Sequence, residues 1–289
     1  MYSPTYAAPS TVEEAVGLLA NASGKARVLS GGTDLIIQMR SGRLRPEVIV
    51  DIKNIEGSRT ISEQADGWHI GAAVSGAEIG DHAKLSAEWP GCSEAVQLIG
   101  STQVQGRASF AGNLCNASPA ADSVPALVAA GATAVIAGKN GTRSVPVEQV
   151  PAGPGRTTLA EDEFVAEFVI PKREGKTGDA YLRFIPRTEM DIAVVGAGVC
   201  VTLDDSGTIT AARVSLGAVA PTVLLVEDAG AALVGSKLDD VALDKLDAAC
   251  QAACNPIDDK RGTVEYRTKV AGVMARRAAK IAYDRASAR

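Results

Sequence analysis

The chain has 289 residues with 29 Lys and Arg against 34 Asp and Glu, a formal net charge of −5. That balance excludes a protein that holds nucleic acid through clustered positive charge. With 46% hydrophobic and 22% charged residues and a mean hydropathy of +0.08, the composition is that of a folded chain with one large or two modest cores, not a disordered one.

Neither a long apolar run nor a basic-then-apolar leader is present, Met1, Tyr2, Ser3 and Pro4 having no such character, so no membrane span or secretory signal is expected. Five cysteines (Cys92, Cys115, Cys200, Cys250, Cys254) form an odd, sparse set that suits a reducing compartment, and the chain reads as cytoplasmic. Aromatic residues make up only 4%, so Val, Leu, Ile and Ala must fill the interior.

Thr11 three residues before Glu14 suggests a capping box for a helix over Val12 to Asn21, with Val12, Ala15, Val16 and Leu19 on one face. A strand over Ala26 to Leu29 then stops at Ser30-Gly31-Gly32-Thr33-Asp34, ahead of a short helix from Leu35 to Arg40. Val48 to Ile52 and Trp68 to Ala73 read as strands, the second leading to a helix capped by Ser75 with Glu78. After a helix over Ser93 to Ile99, the small-residue stretch from Ser101 to Asp122 reads as a functional or disordered loop. Val124 to Ala130 resumes a helix, and Thr133 to Ala137 with Thr142 to Val147 form a hairpin about Asn140-Gly141, both of whose residues tolerate positive φ.

Following the strand Phe164 to Ile170, the polar segment Pro171 to Asp179 marks a domain boundary, dividing the chain into residues 1–174 and 179–285. Beyond it, Tyr181 to Ile185, Ile192 to Leu203 and Ile209 to Leu216 read as a small antiparallel sheet, the last two joined at Asp205-Ser206-Gly207. Helices follow near Val226 to Leu233, Leu243 to Cys254 and Val264 to Arg285. Strands followed by helices make this second domain α+β.

The Gly31-Gly32 pair lies where a strand gives way to a helix. Adjacent glycines there can turn successive N–H groups toward one phosphate or pyrophosphate, or can simply reverse the chain in a tight turn. A second bend at Ser109 to Asn113 offers a close approach at Gly112 and two hydrogen-bonding side chains, Ser109 and Asn113. Asp122 stands ahead of the next helix, as an acceptor for a ribose or ribityl hydroxyl or as a helix N-cap. Hydrolase signals are missing: no His-Glu-x-x-His occurs, and Ala73-Val74-Ser75-Gly76 fails the nucleophile-elbow pattern. His69 and His82 read as structural or surface residues, and Cys250 and Cys254 as small buried groups on a helix. Gly196-Ala197-Gly198 reads as a strand with close backbone neighbours, because Val201 occupies the third glycine position of a dinucleotide fingerprint.

Leu29-Ser30-Gly31-Gly32-Thr33-Asp34, then Ser109-Phe110-Ala111-Gly112-Asn113 and Ala117-Ser118-Pro119-Ala120-Ala121-Asp122, resemble the FAD-binding subunits of molybdenum hydroxylases, the xanthine dehydrogenase and carbon monoxide dehydrogenase flavoprotein family. Tyr181-Leu182-Arg183 ahead of Arg187 to Val195 is similar to that family's second domain, so the resemblance spans nearly the whole chain. It implies an α+β architecture: a two-subdomain FAD-binding domain of the vanillyl-alcohol-oxidase/PCMH type, then a C-terminal domain with a small antiparallel sheet and helices. It implies that Leu29 to Leu35 (Leu29, Ser30, Gly31, Gly32, Thr33, Asp34 and Leu35) and Ser109, Ala111, Gly112 and Asn113 cradle the FAD pyrophosphate, with Asp122 and Val165 as further contacts. Arg183 stands where the family usually has Lys. Ile192 matches xanthine dehydrogenases, where carbon monoxide dehydrogenase relatives often carry Tyr, which points away from carbon monoxide as substrate. Ala111 replaces a glycine of the family and is expected to narrow the backbone freedom of the second bend.

The same resemblance implies noncovalent FAD and no catalytic side chain or metal on this chain. It further implies a molybdopterin-binding large subunit and a 2Fe-2S small subunit as partners, in a dimer of heterotrimers, a heterohexamer. No iron–sulfur spacing occurs among the five cysteines, so electrons must arrive from clusters on another polypeptide. A stand-alone flavin reductase and a nonredox nucleotide-binding module remain open from the residues alone. Lys260 to Arg289 holds nine basic residues against two acidic ones, as a docking face for an acidic partner or as a solvated helix face.

Overall fold

The computed structural model describes residues 3–289; Met1 and Tyr2, part of the N-terminal stretch expected to hold no leader, lie outside the described residues. Three layers of structure follow one another along the chain. The first is a parallel sheet of β1 (Thr5–Ala7), β2 (Ala26–Leu29) and β3 (Val48–Asp51) in the order β1-β3-β2, with α1 (Val12–Asn21) and α2 (Leu35–Arg40) in the connections. In α1 the buried face is Ala15, Val16 and Leu19, and the Thr11 hydroxyl accepts from the Glu14 amide. The expected capping box is only half formed: the Glu14 carboxylate accepts from the Ser10 amide at 2.8 Å, one residue earlier than the reciprocal bond requires. A complete box occurs at Ser75 and Glu78, where each residue's side chain accepts from the other's amide.

The second layer is an antiparallel sheet in the order β4-β5-β10-β6-β7, made of β4 (Ile61–Glu63), β5 (Gly67–Gly71), β6 (Thr133–Gly138), β7 (Gly141–Pro146) and β10 (Phe164–Pro171); the small hairpin of β8 (Pro151–Gly153) and β9 (Arg156–Thr157) stands beside it. The hairpin between β6 and β7 turns on Lys139 and Asn140, neither at positive φ. Gly141 takes the left-handed conformation at φ +98° as β7 begins, so one positive φ suffices where two were expected. Between β5 and β6 run α3 (Gly76–Asp81), α4 (Ala83–Glu88), α5 (Pro90–Gln97), α6 (Thr102–Gln105), α7 (Phe110–Cys115) and α8 (Ser123–Ala129). The stretch expected as a loop from Ser101 to Asp122 therefore holds two short helices. Their starts at Ser101 and Ser109 were hidden in the sequence by small residues without an apolar period.

The third layer is the antiparallel sheet β11 (Lys176–Phe184), β12 (Val195–Leu203), β13 (Ile209–Gly217) and β14 (Leu224–Leu225), covered by α9 (Glu227–Leu233), α10 (Asp240–Ala253) and α11 (Val264–Ser287). β12 starts at Val195, three residues later than the apolar run suggested, because Asp191 is tied to Arg187 and Arg261 and holds the preceding segment out of the ladder. The buried stripe of α11 is mostly alanine (Ala271, Ala275, Ala278, Ala279, Ala282, Ala286). This lets the helix backbone approach β11 so closely that a Cβ at Gly178 would lie 2.1 Å from the Ala282 carbonyl.

Helices α5 and α8 carry the contact between the second layer and the third, α5 against β11 and α8 against β12 and β13. A Cβ on Gly198 of β12 would sit 2.4 Å from the Pro125 carbonyl, and one on Gly217 of β13 would sit 2.7 Å from the Pro125 ring. The glycines of Gly196-Ala197-Gly198 thus serve close packing, as the sequence suggested. Four arginines of the third layer also reach across to helix ends of the second. Arg183 donates to the Leu98 carbonyl (2.6 Å), Arg213 to Val128 (3.1 and 3.0 Å), Arg289 to Ala87 (2.7 Å) and Glu88 (3.2 Å), and Arg285 pairs with Glu94. The carbonyls so engaged lie at the C-terminal ends of α5, α8 and α4, where helix carbonyls carry partial negative charge. Much of the basic C-terminal stretch is therefore used internally: Arg261, Arg267, Arg276, Arg285 and Arg289 all have partners within the chain. Among the described residues no helix is long and apolar enough to cross a membrane.

Replacing Gly198 by Val should drive α8 away from β12 and lower the unfolding free energy by about 3 kcal/mol, read as a fall in denaturation midpoint at unchanged m-value.

Candidate functional site

The two bends singled out in the sequence meet. The Ser30 and Ser109 hydroxyls lie 2.8 Å apart in a buried contact, although 79 residues separate them. Ser30 donates to the Ala72 carbonyl at 2.9 Å, so its single proton is committed and Ser109 is the donor to Ser30. The same Ser109 oxygen accepts from the Gly112 amide and caps α7. Gly31 brings the backbones together: a Cβ there would lie 1.8 Å from the Arg107 carbonyl. Gly32, at φ +83°, supplies the left-handed turn that leads into α2. The two glycines thus divide the work, one for proximity and one for backbone direction.

Both bends line one cavity of about 790 Å³. Ser30, Gly31, Gly32, Thr33, Asp34 and Leu35 contribute one wall and Ser109, Ala111, Gly112 and Asn113 another, while Ile52, Ile99, Leu159, Phe164 and Val165 add apolar surface. Among the described residues, no protein acceptor engages the amides of Gly31, Gly32, Thr33 or Asp34, which leaves four consecutive donors on the cavity wall. Partial enclosure raises the pKa of the Asp34 carboxyl, whose Oδ1 accepts from Asn116 at 3.3 Å. Neither Ala111 nor Gly112 has a positive φ, since both lie in α7. The alanine therefore narrows nothing here, contrary to the expectation, because a helical turn suits it as well as glycine.

Four of the expected residues stand off the cavity wall. Leu29 lies at the end of β2 behind the bend, and a Cβ on Gly32 would touch its side chain at 2.8 Å. Asp122 and Arg183 pair with each other at 3.2 Å, both side chains nearly buried. Asp122 makes no N-cap hydrogen bond to α8, and its Oδ1 has no partner among the described residues. Burial, opposed by Arg183, pushes its carboxyl up to about 6. Asn113 connects this pair's surroundings to the cavity, its side-chain oxygen accepting from the amide and hydroxyl of Ser123. Ile192 is 52% exposed on the segment ahead of β12.

Sequence reasoning missed several supports. Lys53, paired with Asp51 at 2.6 Å, donates to the Ser30 carbonyl, and Gln38 of α2 donates to Asn116 beyond α7. Pro154 and Gly155 also line the cavity, Gly155 donating to the Ala117 carbonyl. Only the paired turn residues at 154–155 carried any local signal. The histidines are structural: His69 bridges Asp66 and Glu167, and His82 caps α4. Burial pushes the Cys250 thiol up to about 12 and the Cys254 thiol to about 11, and the described residues hold no cluster of metal ligands.

A cavity with four free amides on one glycine-bearing bend and a second such bend in its other wall suits a nucleotide cofactor, and comparison with known proteins narrows the class. Residues 2–173 match the family described as the FAD binding domain in molybdopterin dehydrogenase, and residues 180–282 the CO dehydrogenase flavoprotein C-terminal domain. The chain is 33% identical to the carbon monoxide dehydrogenase medium chain of Hydrogenophaga pseudoflava, covering 97% of each. It is 28% identical to the xanthine dehydrogenase FAD-binding subunit of Escherichia coli O157:H7, covering 94% of each. Among solved structures, the cyanide-inactivated Cu,Mo-CO dehydrogenase superposes with a TM-score of 0.93 at 34% identity over 98% of both chains. Quinoline 2-oxidoreductase from Pseudomonas putida 86 superposes with 0.89 at 25%, again over 98% of both. The chain belongs to the FAD-binding subunits of the molybdenum hydroxylases, and it is an oxidoreductase subunit with FAD as its cofactor.

Two outcomes test the site. Gly32→Val should lose bound FAD, read as loss of flavin absorbance after purification, while the C-terminal sheet stays folded by circular dichroism. In flavin-free protein, Asp122 contributes stability that is full below pH 4 and is lost as pH rises through about 6, because its folded pKa lies above the unfolded value. Urea unfolding should therefore show the wild type falling by about 2–3 kcal/mol over that window relative to Asp122→Asn, which cannot titrate.

Proposed function

We propose that this chain receives electrons from iron–sulfur clusters of a 2Fe-2S small subunit, themselves reduced at a molybdopterin-binding large subunit, and passes them to an external acceptor. Bound FAD supplies the redox chemistry, accepting and releasing electrons singly or in pairs. The observation that carries the reading is the Ser30–Ser109 contact beside four unengaged amides in the wall of one cavity.

In this reading the amides of Gly31 to Asp34 and the bend at Ser109 to Asn113 hold the pyrophosphate. Gly31 and Gly32 fit such a group because neither puts a side chain between its amide and the cavity. Ile99, Leu159, Phe164 and Val165 exclude water from the apolar part of the cofactor. Glu163 is held ionised by Arg143, which forms two hydrogen bonds to it at 2.8 Å, and by the Ala160 amide. Arg183 pairs with Asp122 and bridges to the end of α5, steadying the third layer beside the cavity. Ile192 lies on the exposed segment between β11 and β12.

We divide the chain functionally into an FAD-binding domain, 1–174, and a C-terminal domain, 179–285. We further propose noncovalent FAD, a dimer of heterotrimers, and a cytoplasmic location, the last supported by five cysteines that are all free. The hydroxylated substrate is chosen by the large subunit.

Acid precipitation of the purified complex should release all of the flavin as free FAD, about one per copy of this chain, with iron and molybdenum in constant proportion to it. Flavin retained on the precipitated polypeptide would exclude noncovalent binding. Full turnover by the isolated chain, without iron or molybdenum, would replace the relay with a stand-alone reductase.

A further inference from the structure

Helix α5 is gripped from outside its own layer at both ends. Asp179, Tyr181 and Arg183 alternate along β11 and so share one face of the strand, and the two charged members reach opposite ends of the helix. The Asp179 carboxylate meets the amide of Gly91, the second residue of α5, and a Cβ on Gly91 would lie 2.5 Å from its Oδ2. Arg183 donates at 2.6 Å to the carbonyl of Leu98, the residue that closes the helix. Four strand steps cover about 13 Å and seven helical steps about 10 Å, so a single strand can hold both ends. A carboxylate at the start and a guanidinium at the end also match the helix dipole.

The start of the helix carries a further lock. Arg173, from the segment between β10 and β11, stacks on Trp89, the residue ahead of α5, with its guanidinium carbon 4.2 Å from the ring centroid. The same guanidinium pairs with Asp179, and both side chains are only 4% exposed. Arg285 of α11 donates to the Asp179 carbonyl at 2.8 Å and pairs with Glu94 of α5. A buried pair of this kind contributes little net stability, because desolvation offsets its attraction; what it fixes is position. Position matters at the far end of the helix, where Ile99, directly after the residue that Arg183 holds, lines the cavity.

We propose that Asp179 is a positioning residue for the cofactor: it sets the start of α5, and the helix, held at its far end by Arg183, carries that setting to Ile99 in the cavity wall. The proposal rests on the reading of this cavity as the FAD cradle. Asp179 itself does not line the cavity, so its effect on FAD binding passes through the helix. A helix can carry it because its hydrogen-bonded backbone moves as one body, whereas a loop of the same length would absorb the shift.

The test titrates FAD into the full chain stripped of flavin, following flavin fluorescence, with chemical denaturation run in parallel. Asp179→Asn removes the charge that Arg173 faces, and the double variant Arg173→Met/Asp179→Asn removes both charges and leaves no buried ion unpaired. Each should weaken FAD binding roughly tenfold. In an Ile99→Ala background, which itself weakens binding, the double variant should add about twofold or less, since both changes act on one contact. Leu246→Ala, in the core of the third layer, should lower the denaturation midpoint and leave FAD affinity unchanged. Unchanged FAD affinity in the folded Asp179 variants overturns the proposal, and so does full additivity with Ile99→Ala. An equal loss of affinity in Leu246→Ala, or failure of both Asp179 variants to fold, overturns it as well, since the pair then serves stability alone. FAD bound at full affinity by both Gly32→Val and Ile99→Ala refutes the cradle reading beneath it, whatever the Asp179 variants do.

Discussion

One contact governs the molecule: the Ser30 hydroxyl touching that of Ser109 while the Gly31 backbone lies against the Arg107 carbonyl. It joins a parallel sheet to a separate antiparallel layer, and each partner has a second commitment, Ser30 to Ala72 and Ser109 to the first turn of α7. Buried polar groups that are fully satisfied fix a geometry sharply, because any displacement leaves a donor or acceptor unpaired at a cost of about 1–3 kcal/mol. That rigidity lets the next four amides be left free at the cavity. A wall of unpaired donors is tolerable only where a ligand or water can reach it, and here the cavity provides the access.

The C-terminal layer depends on the same arrangement from the other side. Its arginines close the carbonyl ends of α4, α5 and α8, and α8 begins at Asp122, beside the Ser123 that Asn113 of the second bend holds. The pair Asp122–Arg183 thus lies where the third layer meets the second, nearly buried and with one carboxylate oxygen unengaged. A charged pair in that position contributes little net stability, since desolvation opposes its attraction. Its consequence is orientation: it sets how the third layer meets the second.

Much of this was legible along the chain, and the failures share one cause. The Gly31-Gly32 bend, the helix at Val12 to Asn21 and the strands β12 and β13 declared themselves through local chemistry: a glycine pair, an N-capping threonine, runs of β-branched residues. β11 starts at Lys176, inside the polar segment read as a boundary and five residues before the expected Tyr181, because its ladder with β12 extends through polar residues. The stretch from Ser101 to Asp122 did not, because its helices are one or two turns long and stand on serine caps with apolar residues too few to show a period. The offset start of β12 escaped for a related reason: Asp191 is held by Arg261, 70 residues away, and an ion pair of that span has no local signature.

From the amino acids alone came the two bends and their fitness for a phosphate or a tight turn, since backbone freedom at glycine and the placement of hydroxyls beside it are properties of neighbouring residues, while the fold class and FAD came from the family resemblance of those segments. Only the tertiary structure decided that the bends meet, that Gly31 acts by proximity and Gly32 by its left-handed turn, and that Asp122 faces Arg183 off the cavity wall. The reason is physical: contacts across 60 to 80 residues arise from the packing of whole layers, and the alanines and glycines that permit such packing leave it unspecified until the layers close.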